Sequence, residues 1–292
     1  MEKIIAFFMS IIMFLANLFG ISIGVTPKTN VAYGSESESQ KVDIYIPKKA
    51  PEEAGLLLYI HGGAWISGDK NTVASTCKSI AQNYKYVTAT MNYRLITEDA
   101  DFEDMLDDIT ACLTQIKKTA ADNSVNITSC ALMGASAGGH LAMLYSYKCA
   151  SESPIPVKFC VSQAGPTNLA DSNFYSSDVV YSPADLAACI GGVSGIENLT
   201  PENYALYSLK LAAASPLTYA SSAVPTIICH GNADNIVPYS NSVSLDKALS
   251  AFGVEHVFIT FENAGHDLTG DDNADSLFYT TLESWLANYF GY

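Results

Sequence analysis

The sequence predicts an α/β protein with a mostly parallel central sheet and helices on both faces. Three observations carry that prediction. Short apolar, β-branched runs recur along the chain. Segments with apolar residues at i, i+3 and i+4 alternate with them, the pattern of βαβ units. Apolar residues make up 49% and charged residues 15% of 292 residues, enough to bury a full core. That composition excludes a disordered chain. Fifteen Lys and Arg against thirty Asp and Glu give a net charge of −15. Without clustered positive charge a nucleic-acid partner is not expected, and the acidic balance reads as solubility.

The first segment stands apart from this pattern. Residues Ile4 to Pro27 carry no charge and follow a Met1-Glu2-Lys3 start. Two readings compete for residues 1–24. A secretory signal peptide has a positive start, an apolar stretch and small residues at the cleavage site, here Ser22-Ile23-Gly24. An uncleaved anchor needs about 20 apolar residues, and residues 4–25 are long enough. Either places the remaining domain, residues 28–292, outside the cytoplasm, secreted or membrane-anchored. Losing residues 1–24 removes one Glu and one Lys, so the charge of −15 stays on the domain.

Lys41 to Pro47 alternates apolar and polar residues, as an edge strand does. Gly55 to Ile60 is a continuous apolar run typical of a buried parallel strand. Tyr86 to Met91 is a third strand. Phe102, Met105, Ile109, Leu113 and Ile116 mark a helix over 101–121. Cys130 to Met133 reads as a strand and 137–149 as a helix. Residues 157–163, 226–230 and 256–261 are further strands, with helices near 239–251 and 274–290. Between Asn168 and Pro216 the rhythm breaks. That segment is rich in Ser, Tyr, Asn and Gly, with helix starts at Pro183 and near 201. It reads as a lid inserted over the active-site face. Seven Cys are present without a Cys-x-x-Cys pair, so no zinc site is expected. Cys130, Cys160 and Cys229 lie in strand-like runs and read as buried small hydrophobes.

Gly134-Ala-Ser-Ala-Gly138 matches G-x-S-x-G, with a strand before it and a helix after it. There a Ser sits on a sharp turn, and small neighbours let strand and helix approach. A Ser hydroxyl needs a base to become a nucleophile. Of five His, His140 lies in the helix after Ser136 and reads as a packing residue. His61 and His230 end strands before Gly and read as loop-shaping groups, and His256 starts a strand. His266 follows a strand at its carboxyl end, where sites assemble on parallel sheets, and is the expected base. Asp234, also past a strand end, is the expected orienting acid; it also suits an Asx turn. Asp267 is adjacent to His266 in the chain and poorly placed for its ring. The order Ser136, Asp234, His266 is that of the α/β-hydrolases. His61-Gly-Gly-Ala64 ends a strand with glycines that let backbone amides face the site. The amides of Gly63, Ala64 and Ala137 are the expected oxyanion hole. Trp65 and Gln163 are candidate substrate-binding residues.

These motifs resemble the α/β-hydrolase superfamily, in the branch of hormone-sensitive-lipase-like and bacterial feruloyl or acetylxylan esterase-like enzymes. The matching residues include Asn30 to Gly34, Val42 to Pro47, His61 to Lys70, Asn92 to Leu95, Gly134 to Gly139, His230 to Pro238 and Ala264 to His266. The resemblance implies an α/β-hydrolase fold and a first strand including Asn30 to Gly34. It also implies a Ser–Asp–His triad and an HGG oxyanion turn. Ala64 departs from it, since many relatives carry a third Gly there. The implied activity is a serine carboxylesterase on small or carbohydrate-linked esters, working without metal or organic cofactor. Other readings are an acyltransferase or peptidase on the same fold, or a non-catalytic extracellular binding protein. Tyr175, Tyr181, Tyr204, Tyr207 and Tyr219 of the insertion have rings able to stack on a sugar or phenol.

Overall fold

The computed structural model describes residues 24–176 and 182–291. The leader expected over 1–24 falls outside them apart from Gly24, as does Tyr181. The described residues form an eight-stranded sheet in the order β1-β2-β4-β3-β5-β6-β7-β8. The strands are β1 (Val25–Ala32), β2 (Lys41–Pro47), β3 (Glu53–Ile60), β4 (Val87–Met91), β5 (Asn126–Ala135), β6 (Val157–Gln163), β7 (Thr226–Gly231) and β8 (His256–Phe261). β1 and β2 run antiparallel, and the strands from β4 through β8 are parallel. The helices are α1 (Ala74–Tyr84), α2 (Phe102–Ala121), α3 (Ala137–Lys148), α4 (Pro183–Val193), α5 (Ser208–Ala213), α6 (Ser240–Phe252) and α7 (Asp272–Phe290).

Helices cover both faces, as the alternating pattern predicts. Leu56, Leu58 and Ile60 of β3 point into a core shared with α2 and α3. Leu57 and Tyr59 point the other way, into a core shared with α1 and α7. The period of two along one strand thus feeds two separate cores, which is why β3 reads as continuously apolar. Asp101 caps α2 by accepting from the Glu103 and Asp104 amides.

Two details differ from expectation. β2 is an interior strand, because β1 pairs along its outer side from Val25↔Pro47 to Ala32↔Lys41. Its alternating residue Asp43 is buried and makes an ion pair with Lys70 Nζ at 3.0 Å. A satisfied buried charge here looks, in sequence, like a solvent-facing one. The sheet also starts at Val25, ahead of both residue 28 and the Asn30–Gly34 segment. All seven Cys are unpaired, and Cys130, Cys160 and Cys229 are fully buried.

The 168–216 segment lies between β6 and β7 at the carboxyl ends of the strands. It contributes α4 and α5 and packs Leu169, Phe174, Ile190 and Leu211 against the α2/α3 core.

Candidate active site

Ser136 stands alone between the last residue of β5 and the first of α3, with φ 54° and ψ −124°. A non-glycine residue there stores roughly 1–3 kcal/mol, and the surrounding contacts hold it. Its N–H donates to the Gln163 carbonyl at 2.8 Å, and its own carbonyl accepts from the His140 amide at 3.0 Å. The flanking glycines are required by close approach. A Cβ on Gly138 would lie 2.1 Å from the Ile60 carbonyl oxygen, and one on Gly134 would lie 2.2 Å from the Gly138 oxygen.

Two loops at the same sheet edge bring the partners. His266 follows β8, and its Nε2 lies 2.9 Å from Ser136 Oγ. Its Nδ1 lies 2.7 Å from Asp234 Oδ2, on the loop after β7. Asp234 satisfies both sequence readings at once. Oδ1 accepts from the Ile236 and Val237 amides at 2.8 and 3.0 Å, an Asx turn, while Oδ2 meets His266. Burial works to raise the Asp234 pKa. The hydrogen bonds from His230 and His266, with the Ile236 amide, outweigh it and hold the carboxyl well below the usual carboxylate range. The carboxylate is therefore charged at neutral pH.

The third part is the turn after β3. Gly63, Ala64 and Trp65 have φ of 122°, 50° and 60°. A Cβ on Gly63 would lie 2.1 Å from the Ser67 carbonyl oxygen, so only glycine fits. Ala64 accepts the left-handed conformation at a cost of roughly 1–2 kcal/mol. Neighbours brace the turn. The Tyr93 ring stacks on His61 at 4.6 Å and its hydroxyl donates to the His61 carbonyl at 3.2 Å. The Ile96 amide donates to the Trp65 carbonyl at 3.0 Å. Among the described residues, the amides of Gly63, Ala64 and Ala137 donate to no backbone carbonyl. Ala137 also opens α3, whose N-terminus carries partial positive charge.

Ser136, His266, Gly63 and Ala64 line a cleft of about 680 Å³, whose opposite wall comes from α4 through Leu186, Ala188 and Cys189. Residues of the inserted segment thus form part of the cleft wall. Asp185 also lines it.

The two substrate-binding candidates, Trp65 and Gln163, do not line this cleft. Trp65 is only 3% exposed and packs edge-on against His140 at 5.1 Å, in the core behind the turn. The Gln163 side chain accepts from the Tyr59 hydroxyl at 2.6 Å, and its backbone carbonyl holds the Ser136 amide. It supports the nucleophile turn from below. Three of the described tyrosines named for stacking make contacts within or beside the segment. Tyr175 stacks on Tyr204 at 4.1 Å and donates to the Leu169 carbonyl, and Tyr219 donates to the Ala213 carbonyl.

The remaining His fall where the sequence reading puts them. His140 Nε2 donates to the Ala214 carbonyl at 2.7 Å, tying α3 to the insertion. His61 Nδ1 lies 2.7 Å from the Gly62 carbonyl. His256, on β8, meets Val254 and Asp246. Asp267 bonds Thr269 and not the His266 ring. His230 bonds the Val237 carbonyl as a loop-shaping residue would, but it also reaches Asp234, which the sequence reading missed.

With this geometry in place, comparison with known proteins gives a consistent answer. The chain is similar to a truncated carbohydrate esterase from gut microbiota, at 22% identity and TM-score 0.74, with 90% of this chain and 95% of that chain aligned. It is also similar to esterase B of Lactobacillus rhamnosis, at 19% identity and TM-score 0.71 over 99% and 98% of the two chains. These likenesses establish a shared fold. Among curated proteins, an AB hydrolase superfamily protein of Schizosaccharomyces pombe is 26% identical, over 78% of this chain and 68% of that protein. The probable carboxylic ester hydrolase LipM of Mycobacterium tuberculosis is 24% identical over 84% of this chain; the alignment spans 57% of LipM. The sheet order, the turn at Ser136 and these relatives make the fold that of the α/β-hydrolases. The BD-FAE family model matches residues 42–249, most of the chain, and the chain belongs to the BD-FAE family.

Proposed function

We propose that this protein is a serine carboxylic ester hydrolase that works through an acyl-enzyme. One observation carries the reading: Ser136, His266 and Asp234 form a continuous hydrogen-bonded chain at the wall of an open cleft. Ser136 Oγ attacks the ester carbonyl carbon as its proton passes to His266 Nε2. Asp234 keeps Nδ1 protonated and stabilises the imidazolium. The developing oxyanion meets the amides of Gly63, Ala64 and Ala137, each worth about 10²–10³ in rate in comparable sites. His266 then gives its proton to the leaving alcohol. Water, deprotonated by His266, attacks the acyl-enzyme and releases the acid.

Small or carbohydrate-linked esters are the proposed substrates. The cleft suits a short acyl group, with Leu186, Ala188 and Ile236 offering apolar surface and Asp185 disfavouring an anionic one. A structural relative that is a carbohydrate esterase points the same way. We place the protein outside the cytoplasm, secreted or anchored by residues 4–25. That rests on the uncharged run after Lys3 and on a first described strand that begins at Val25, near the end of that run. Amino-terminal sequencing of the exported protein tests it: a start at Val25 marks cleavage after Gly24.

Ser136→Ala should lower p-nitrophenyl acetate turnover roughly 10⁴-fold or more without changing the melting temperature downward. An ester panel from acetate to palmitate, with acetylated xylan and methyl ferulate, identifies the substrate class. Retained turnover in Ser136→Ala overturns the assignment.

A further inference from the structure

We infer that His230 is a positioning residue for the Ser136–His266–Asp234 chain: its Nε2–H holds the Asp234 carboxylate in place and takes a share of its charge. This inference rests on the ester hydrolase reading above.

The proton on His230 is fixed by its surroundings. Nε2 lies 3.0 Å from Asp234 Oδ2 and 3.0 Å from the Val237 carbonyl oxygen. Both are acceptors only, so Nε2 carries the hydrogen. Nδ1 lies 2.6 Å from Ser242 Oγ on α6, whose hydroxyl donates to it. The His230 and Asp234 side chains are both fully buried, so no bulk solvent competes. A neutral ring meets every one of these contacts.

The consequence falls on the carboxylate. Oδ1 accepts two backbone amides and Oδ2 accepts His266 Nδ1–H, while His230 Nε2–H, shared with the Val237 carbonyl, stands 3.0 Å from Oδ2. Four N–H groups thus surround the carboxylate, so its plane is fixed and Oδ2 faces His266 in one orientation. His230 also draws on the charge at Oδ2, which weakens the hold of Asp234 on a proton at the His266 ring. Two further titratable groups face this pair from the elements packed on it: His266 from the loop after β8, and Tyr239 at the start of α6. The Tyr239 ring stands edge-on to His230 at 5.7 Å, and its hydroxyl bonds Thr260.

Two variants separate this role from simple packing. In His230→Gln the amide nitrogen reaches the place of Nε2. In His230→Asn it reaches only the place of Nδ1, on the Ser242 side. For p-nitrophenyl acetate, His230→Asn should lower kcat roughly 10- to 100-fold with KM little changed. It should also move the acid limb of the kcat/KM profile up by about 0.5–1 pH unit. His230→Gln should recover most of both. Ser242→Ala, which leaves Nε2–H on Asp234, should leave the acid limb in place. A long-range ¹H–¹⁵N correlation spectrum of the unaltered protein should show His230 as the Nε2–H tautomer, whether or not the variants fold. An Nδ1–H tautomer, or an unmoved acid limb in folded His230→Asn, overturns the inference alone. An unaltered protein that hydrolyses no ester removes the ester hydrolase reading, and this inference with it.

Discussion

Asp234→Asn is the substitution whose outcome the structure constrains most tightly. The side chain meets four N–H donors: the Ile236 and Val237 amides at Oδ1, and His266 and His230 at Oδ2. A carboxylate accepts all four. An asparagine has one oxygen and one NH₂ group, and either orientation turns the NH₂ toward two donors. If the oxygen serves the backbone amides, the NH₂ faces His266. The ring must then place its proton on Nε2, where it cannot accept from Ser136. If the oxygen serves His266, the loop amides lose their acceptor. Each buried donor left facing another costs about 1–3 kcal/mol, so the protein should also melt earlier. In triads with this geometry the wrong tautomer costs about 10⁴ in kcat near neutral pH. The assay is kcat for p-nitrophenyl acetate from pH 5 to 9, alongside a thermal melt. A folded Asp234→Asn variant that retains a tenth of kcat at pH 7 would refute the reasoning, because Asp234 would then not be fixing the His266 proton.

Two further outcomes follow from packing and burial. Gly138→Ala would press a Cβ to 2.1 Å from the Ile60 carbonyl oxygen and 2.5 Å from that of His61. Both are backbone atoms that cannot swing away, so urea unfolding should show a loss of about 1–3 kcal/mol, with kcat falling as the Ser136 turn shifts. His140 is fully buried, and burial pulls its pKa down to about 4, against the lift from its bond to Ala214. The unfolded chain binds that proton near pH 6.5 and the folded protein only near 4. The neutral ring's stability is thus complete above about 6.5 and is lost as pH falls toward 4, about 3 kcal/mol in all. Stability of His140→Phe, followed by urea titration over that range, should fall less steeply with pH than that of the unaltered protein.

The sequence shows the parallel core of the fold because those strands are buried on both faces and leave unbroken apolar runs. The weakly marked elements are a different case. Helix α1 buries Ala74, Cys77, Ile80 and Ala81, three of them small, among Ser, Thr, Asn and Gln. Such a stripe carries little hydrophobic contrast, and no helix is legible there. β2 reads as an edge strand because Asp43 breaks its apolar run. Only the fold reveals that Lys70, far along the chain, is buried beside it. The proposed triad is legible because each member sits at a strand end with a local motif and in a telling order. His230 is not, since its contact with Asp234 depends on the curl of the loop from 231 to 237. Trp65 is a related case: only the fold shows that its indole packs in the core beside His140 and not in the cleft.

The central claim is that Ser136 is the nucleophile of an acyl-transfer site, and covalent trapping tests it most directly. The folded protein would be incubated with diethyl p-nitrophenyl phosphate, then weighed intact and digested for peptide mapping by mass spectrometry. The account predicts a single diethylphosphoryl group per chain, on Ser136, appearing in step with the loss of ester hydrolysis and absent from Ser136→Ala. Loss of hydrolysis with the group on another residue, or unchanged hydrolysis with Ser136 modified, would contradict it.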